Sequence, residues 1–263
     1  MESTMELVTM KGRTVLITGA SSGIGKAMAG RFADAGANLV LLDVNGEGLE
    51  KAMARLKESY SVNVSGHVVD LGHKDRISSL WDDLEDIPDT LINNAGVYPM
   101  KGFLDIDEEL LATTFDVNLK AAFWMCQQFV ARRKGKGGSI INVSSIEAIL
   151  PFKRDMAHYS MSKASVIALT RALARDYGHQ GFRANVIIPG AIHTPSTRKL
   201  IRQAITHANF HLMKTGYDFS TRLSLGRWGQ PDEVARVALF LASKLASYVH
   251  GAVIPVDGGF LSS

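Results

Sequence analysis

The sequence predicts an α/β fold: one doubly wound, parallel sheet of about seven strands with helices on both faces. Short apolar runs alternate with longer amphipathic stretches from the start to beyond the middle of the chain, the rhythm of repeated βα units. Most of those runs are apolar throughout, as expected for strands covered on both faces. A glycine-rich turn, Thr18-Gly19-Ala20-Ser21-Ser22-Gly23-Ile24-Gly25, joins the first run directly to a helical pattern.

Taken in order, strands are expected over residues 14–18, 38–43, 67–70, 90–93, 139–144, 183–188 and 252–256. Helical spacing and length occur over 48–59, 113–133, 157–177 and 231–243. Pro231 followed by Asp232 and Glu233 marks a helix start, because proline and acids suit a first turn. Residues 1–10 lack a basic segment and an apolar segment and read as a loose extension. Residues 195–226 break the rhythm and read as an insertion over a site. A chain of 263 residues with this layout is expected to form a single domain.

Composition excludes several classes. Apolar residues at 46% and charged residues at 21% suit a globular protein with a sizeable core. A net charge of +3 without a long basic run argues against nucleic acid, and no apolar stretch reaches membrane-spanning length. The single cysteine, Cys126, rules out an intramolecular disulfide and fits a reducing, cytoplasmic setting.

The glycine-rich turn has the outline of a pyrophosphate site of the Rossmann type. Gly19 supplies a backbone geometry barred to other residues, Gly23 lets the main chain approach phosphates, and Gly25 permits close helix packing. Unpaired N–H groups at the helix start, around Ser21, Ser22 and Ile24, would face the anion. The spacing G-x-x-x-G-x-G departs from G-x-G-x-x-G, so a tight turn without a ligand stays open on this motif alone. Asp43 ends the second strand near the spacing at which an acid accepts from the adenosine ribose hydroxyls. Its charge, and the lack of Arg or Lys among Ala20, Ser21 and Ser22, favour NAD(H) over NADP(H). An Asp that merely caps a turn is the alternative.

Tyr159 and Lys163 lie four apart in a strongly helical segment, on one face and one turn apart. A phenol with a pKa of ~10 needs an adjacent cation to yield its proton near neutrality, so this spacing suits a general acid/base.

These motifs, together with Asn93-Asn94-Ala95-Gly96, Pro189-Gly190 with Thr194, and Val256-Asp257-Gly258-Gly259, resemble the short-chain dehydrogenase/reductase family along nearly the whole chain. The resemblance implies an NAD(H)-dependent enzyme moving a hydride between nicotinamide and a secondary alcohol or ketone carbon. It implies that Tyr159 is the acid/base, that Lys163 also holds the nicotinamide ribose, and that Asn118 supports a water-mediated proton relay toward Lys163. Ser145 aligns with the serine that holds the substrate oxygen, with Ser144 left open because the gap to Tyr159 is a residue longer than usual. Asp70 and Leu71 would meet the adenine, while Asn93, Ala95 and Gly96 would line the adenosine side and Asn94 would hold the sheet together. Pro189, Gly190, Ile192 and Thr194 would border the nicotinamide. The resemblance also implies a homotetramer or homodimer, with helices near 121–129 and 164–174 packing across subunits.

For the substrate the sequence offers charge alone. Arg198, Lys199, Arg202, Lys214 and Arg222 stand against Asp218 in the insertion, and Lys153 and Arg154 precede Tyr159. They suggest a small anionic hydroxy or keto acid or a sugar derivative, with a solvated basic face as the alternative. His193, His207 and His211 lack the carboxylate or cysteine pattern of a metal site. Reduction of a 3-oxoacyl chain on a carrier protein is a second reading, weakened by Gln180 where a second basic residue beside Lys136 is expected. A hydroxysteroid-like activity is a third. A non-enzymatic NAD(H) sensor is disfavoured by the intact set Asn118, Ser145, Tyr159 and Lys163.

Overall fold

The computed structural model describes residues 1–206 and 210–263, without the side chains of residues 200, 201, 203–206 and 210–215. The strands are β1 (Thr14–Thr18), β2 (Asn38–Asp43), β3 (Val64–Val68), β4 (Thr90–Asn93), β5 (Gly138–Val143), β6 (Phe182–Pro189) and β7 (Val253–Val256). The helices are α1 (Thr4–Val8), α2 (Gly23–Asp34), α3 (Gly46–Ser59), α4 (Lys74–Asp83), α5 (Glu108–Phe115), α6 (Ala121–Arg132), α7 (Ala157–Tyr177), α8 (Pro195–Thr206), α9 (Phe210–Thr221) and α10 (Pro231–Ala242). All seven strands form one sheet in the order β3-β2-β1-β4-β5-β6-β7, and every pairing is parallel.

Side chains alternate across this sheet, so each strand feeds two cores. Val15, Ile17, Leu39, Leu41, Ile92 and Ile141 pack under α2 and α10 on one face. Leu16, Val40, Leu42, Leu91 and Ile140 pack against Ile77 and Trp81 of α4 and Met125 and Phe129 of α6 on the other. Phe129 is the centre of the second core, in tilted or edge contact with Trp81 and Phe182. Burial of each such large side chain contributes roughly 1.5–3 kcal/mol.

Several elements depart from the expected ones, most of the strand and helix ends by one or two residues and the following by more. The third strand runs over Val64–Val68 rather than 67–70, in register from Leu39↔Val64 to Asp43↔Val68. It is an edge strand with mixed burial, so it lacks a continuous apolar run, and Asp70 falls in the following loop, where it accepts from the Gly72 N–H. The helix expected over 113–133 begins earlier, at Glu108, where the Asp107 carboxylate caps the Leu110 N–H. It then passes through a π-helical segment, Asp116–Lys120, before α6. The extension 1–10 is fastened rather than loose: Ser3 and Glu6 form a capping box for α1, and Met10 is 0% exposed within the first core. The insertion over 195–226 contains α8 and α9. His207 lies outside the described residues, as do the side chains of His211 and Lys214. Among the described residues no helix is long and apolar enough to cross a membrane.

The sheet order reverses direction between β1 and β4, so the loops leaving those two strands diverge and open a crevice at their carboxyl ends. Asn94 bridges the crevice floor, donating from Nδ2 to the carbonyls of Thr18 and Gly19, while Thr18 Oγ1 accepts the N–H of Asn94 and Ala95. The structure thus gives Asn94 the sheet-holding position expected of it.

Candidate active site

The glycine-rich turn leaves β1 at Gly19, with φ +66°, and enters α2 at Gly23. A Cβ on Gly25 would lie 2.1 Å from the Gly19 carbonyl oxygen, so only glycine lets the helix start sit this close to the turn. Ser22 precedes α2 without a side-chain cap, which leaves first-turn N–H groups directed at the crevice. At the rim, Asp43 accepts from the N–H of Ser21 and of Asn45, each at 2.9 Å, so the carboxylate is fixed beside the turn. These features fit the phosphates and adenosine ribose of a dinucleotide.

Across the crevice, Gly96 is equally constrained by chemistry. A Cβ there would lie 3.1 Å from Asn118 Oδ1 and 3.2 Å from Lys163 Nζ, so a bare backbone covers both polar groups. Asn118 sits in the π-helical segment, is 2% exposed, and binds residue 97 at both ends: its Oδ1 accepts the Val97 N–H at 2.8 Å and its Nδ2 donates to the Val97 carbonyl at 2.9 Å. π-segments re-aim side chains within a helix, and this one turns Asn118 inward. Lys163 Nζ donates to the Val143 carbonyl at 3.0 Å, and burial pushes the ammonium down to about 8. A cavity of about 10 Å³, the size of one water, is bordered by Asn118, Lys163, Leu71 and Asn93 among others.

The two serines at the end of β5 are separated by their partners. Ser144 Oγ donates to the Lys163 carbonyl at 2.7 Å, whereas the Ser145 hydroxyl accepts the Glu147 N–H at 3.2 Å and lies near the Tyr159 hydroxyl. Burial pushes the Tyr159 phenol up to about 12; the nearby Ser145 hydroxyl opposes this, and the charges of Glu147 and Tyr98 add to it. In the chain by itself, then, burial outweighs the helix-face lysine on which the sequence argument relied.

Ser145, Tyr159 and Lys163 line one cavity of about 180 Å³, with Ile24, Asn94, Gly96, Pro189, Gly190, Ile192 and Thr194 around it. Ser144, Tyr98 and Thr197 complete its walls with Val143. Strand ends β1, β4, β5 and β6 and helix α7 therefore bring together residues spread over more than half the chain.

Some expected residues lie elsewhere. Asn93 points into the core, donating to Asn142 Oδ1 at 2.8 Å and toward Cys126 Sγ, because β4 is central and both its faces are covered. Leu71 is buried in the second core and lines the water-sized cavity rather than the larger one. Lys153, Arg154 and Arg198 do not line the 180 Å³ cavity: Lys153 is half-buried beside Glu147, and Arg154 and Arg198 are exposed on the outer surface of their loop and helix.

Two residues near the chemistry were missed by the sequence reading. Glu147 is 4% exposed, two residues beyond Ser145, and its carboxylate accepts the N–H of Phe152 and Lys153. Burial raises its pKa, and those two bonds and the Lys153 charge oppose the rise. Tyr98 stands edge-on to Tyr159, centroids 6.3 Å apart, in a loop held by Asn118 at Val97 and by His158 at Pro99. Proximity in sequence to Ser145 and Gly96 was the one available signal for each.

A family model described as enoyl-(acyl carrier protein) reductase matches residues 19–261. A 3-oxoacyl-(acyl-carrier-protein) reductase of Thermotoga maritima is 36% identical over 256 residues, 96% of this chain and 99% of that protein. An L-rhamnose 1-dehydrogenase (NAD(P)(+)) of Azotobacter vinelandii is 34% identical over 255 residues, covering 94% of this chain and 96% of its own. Among solved structures, a candidate NAD(P)-dependent gluconate 5-dehydrogenase of Beutenbergia cavernae, with NADP bound at low occupancy, superposes with a TM-score of 0.88 at 31% identity, over 98% of this chain and 100% of that one. With matches along nearly its whole length, the chain belongs to the short-chain dehydrogenase/reductase family of oxidoreductases.

Proposed function

We propose that this protein is an NAD(H)-dependent dehydrogenase or reductase that interconverts a secondary alcohol and its ketone. One observation carries the reading: Ser145, Tyr159 and Lys163 line one cavity together with Gly190 and Thr194. When bound, the nicotinamide accepts or supplies the hydride. The chain's own residues handle the proton and the oxygen. Tyr159, as the phenolate that Lys163 and the positive charge of a bound oxidised nicotinamide would favour, takes the proton from an alcohol, and as the phenol it gives a proton to a ketone, while Ser145 donates to the substrate oxygen as charge develops there. Asn118 and the water-sized cavity beside Lys163 support a route for that proton to solvent. Gly19, Ser21, Ser22, Gly23, Ile24 and Gly25 would hold the pyrophosphate, and Ala95, Gly96, Pro189, Gly190, Ile192 and Thr194 would border the remainder of the cofactor.

Preference for NAD(H) over NADP(H) rests on Asp43, whose carboxylate is anchored by the Ser21 and Asn45 N–H groups where a 2′-phosphate would have to sit. The rhamnose relative is named for both cofactors and the gluconate neighbour holds NADP, so this preference is a property claimed for this chain alone.

For the substrate, a neutral polyhydroxy compound such as a sugar is favoured over an anion. Tyr98, Ser145, Thr194 and Thr197 are among the residues that line the cavity, and Lys163 is the one basic residue among the described ones that do. Similarity to a 3-oxoacyl-(acyl-carrier-protein) reductase supports a second reading, reduction of an acyl ketone. The apolar groove of about 500 Å³ between α6 and α7, with Phe123 42% exposed at its edge, supports self-association into a homodimer or homotetramer. A cytoplasmic setting accords with Cys126, a buried thiol pushed up to about 12 by burial.

An absorbance screen with NAD(H) and NADP(H) against sugars, polyols, hydroxy acids and acyl-thioester ketones tests the proposal. Turnover of a hydroxyl or ketone substrate with NAD(H) is the expected result. Cofactor binding without turnover of any class would end the enzymatic reading.

A further inference from the structure

Tyr98 is held with more care than a surface loop requires. Its neighbours on both sides are pinned by buried side chains. Asn118 clasps the N–H and carbonyl of Val97, and His158, 1% exposed, bonds the Pro99 carbonyl through Nε2 at 2.9 Å. A carbonyl only accepts, so that ring nitrogen donates. Two residues further, the Lys101 N–H bonds the Asp155 carbonyl, which ties the same loop to the approach of α7. Both clasps originate beside the catalytic group: Asn118 also donates to Ser162, and His158 directly precedes Tyr159.

The clasps set the Tyr98 ring edge-on to Tyr159 at an interplanar angle of 70°, on the wall of the cavity. Ser196, an exposed residue in the first turn of α8, lies near the Tyr98 hydroxyl and opposes the rise in pKa that burial causes. A half-buried phenol therefore stands beside the acid/base on the wall of the cavity, where its hydroxyl can meet an oxygen of the substrate.

Resting on the oxidoreductase reading above, we infer that Tyr98 is a specificity-determining residue that binds a second oxygen of the substrate near the reacting carbon, so that the preferred substrates are diols and hydroxy ketones. The two hydroxyl-bearing rings, 6.3 Å between centroids, are close enough for one small molecule to engage both. A substrate with a single oxygen gains nothing from the Tyr98 hydroxyl.

The test compares cis-1,2-cyclohexanediol with cyclohexanol as probes, oxidised with NAD+ by the full-length protein. Wild type is expected to favour the diol in kcat/KM. Tyr98→Phe is expected to raise KM for the diol by about tenfold, with a much smaller change in kcat, and to cost the diol about tenfold more than cyclohexanol. Equal effects of Tyr98→Phe on both probes, leaving the diol-to-cyclohexanol ratio unchanged, overturn the inference. So does NAD+ binding with neither probe oxidised. Failure to bind NAD+ at all overturns the oxidoreductase reading instead.

Discussion

The Ser144 hydroxyl donates to the carbonyl of Lys163 at 2.7 Å, which in the proposed mechanism leaves the substrate oxygen to its neighbour. Ser145, one residue on, lies near the Tyr159 hydroxyl and lines the cavity with it. Ser145→Ala is expected to lower kcat by about 100- to 1,000-fold, the usual loss on removing one donor to a developing oxyanion. Ser144→Ala is expected to cost about 1 kcal/mol of stability and at most a few-fold in kcat. Steady-state kinetics and urea melts on both variants check this, and a larger kcat loss for Ser144→Ala would reverse the assignment.

Removing the Tyr159 hydroxyl deletes the proton carrier and leaves the crevice intact. Tyr159→Phe is expected to drop kcat by about 1,000-fold while NADH binding, followed by fluorescence, stays near wild type. Turnover retained at wild-type level would move the acid/base role to another residue.

Charge at Asp43 is expected to set the cofactor. Asp43→Asn keeps an acceptor for the Ser21 or Asn45 N–H but removes the negative charge. The ratio of kcat/KM for NADP(H) over NAD(H) should rise by about tenfold or more, equivalent to about 1.4 kcal/mol of relieved repulsion. A wild type that already prefers NADP(H) would contradict the role given to this residue.

Stability should depend on alkaline pH with a sign set by three buried groups. Lys163 is pushed down to about 8 from 10.5, so between these values the unfolded chain binds a proton that the folded chain lacks, and stability rises with pH. Cys126, raised to about 12 from 9.0, and Tyr159, raised to about 12 from 10.0, ionise more readily when unfolded, so stability falls as pH climbs past 9 and then 10. The expected net effect is a gain of roughly 1 kcal/mol from about pH 8 to about pH 9, then a decline above about pH 10. Urea midpoints across this range should show the rise in wild type and lose it in Lys163→Met, which keeps the decline. A rise that survives in Lys163→Met would show that another group causes it.

Two glycines of α2 should respond oppositely to alanine. A Cβ at Gly25 meets the Gly19 carbonyl oxygen at 2.1 Å and Asn94 Nδ2 at 2.6 Å, so Gly25→Ala must displace backbone and is expected to abolish cofactor binding. Gly30 has nothing within 4 Å of that position, and Gly30→Ala is expected to stabilise by roughly 0.5–1 kcal/mol through helix propensity. Thermal melts with and without NADH distinguish the two, and an unperturbed Gly25→Ala would refute the packing argument.

Much of this protein was legible before folding was considered. The bounds of β1, β2, β4 and α7 coincide with the apolar runs and the helical spacing. The third strand was displaced because an edge strand of mixed burial carries no apolar run to read. The two halves of the α5–α6 helix and the π-segment between them were read as one, since a single extra residue in a helical turn leaves side-chain periodicity almost unchanged.

Local chemistry and spacing along the chain determined the glycine turn, the Tyr159–Lys163 pair and the α/β rhythm, because each is encoded within one turn or one strand. Tertiary structure alone decided which serine faces Tyr159, that Asn93 turns inward, that the cations at 153, 154 and 198 stay off the cavity, and that Tyr98 and Glu147 border the chemistry. Those outcomes depend on contacts between loops far apart in sequence, where a hydrogen bond to one backbone carbonyl selects among side chains that look equivalent in one dimension.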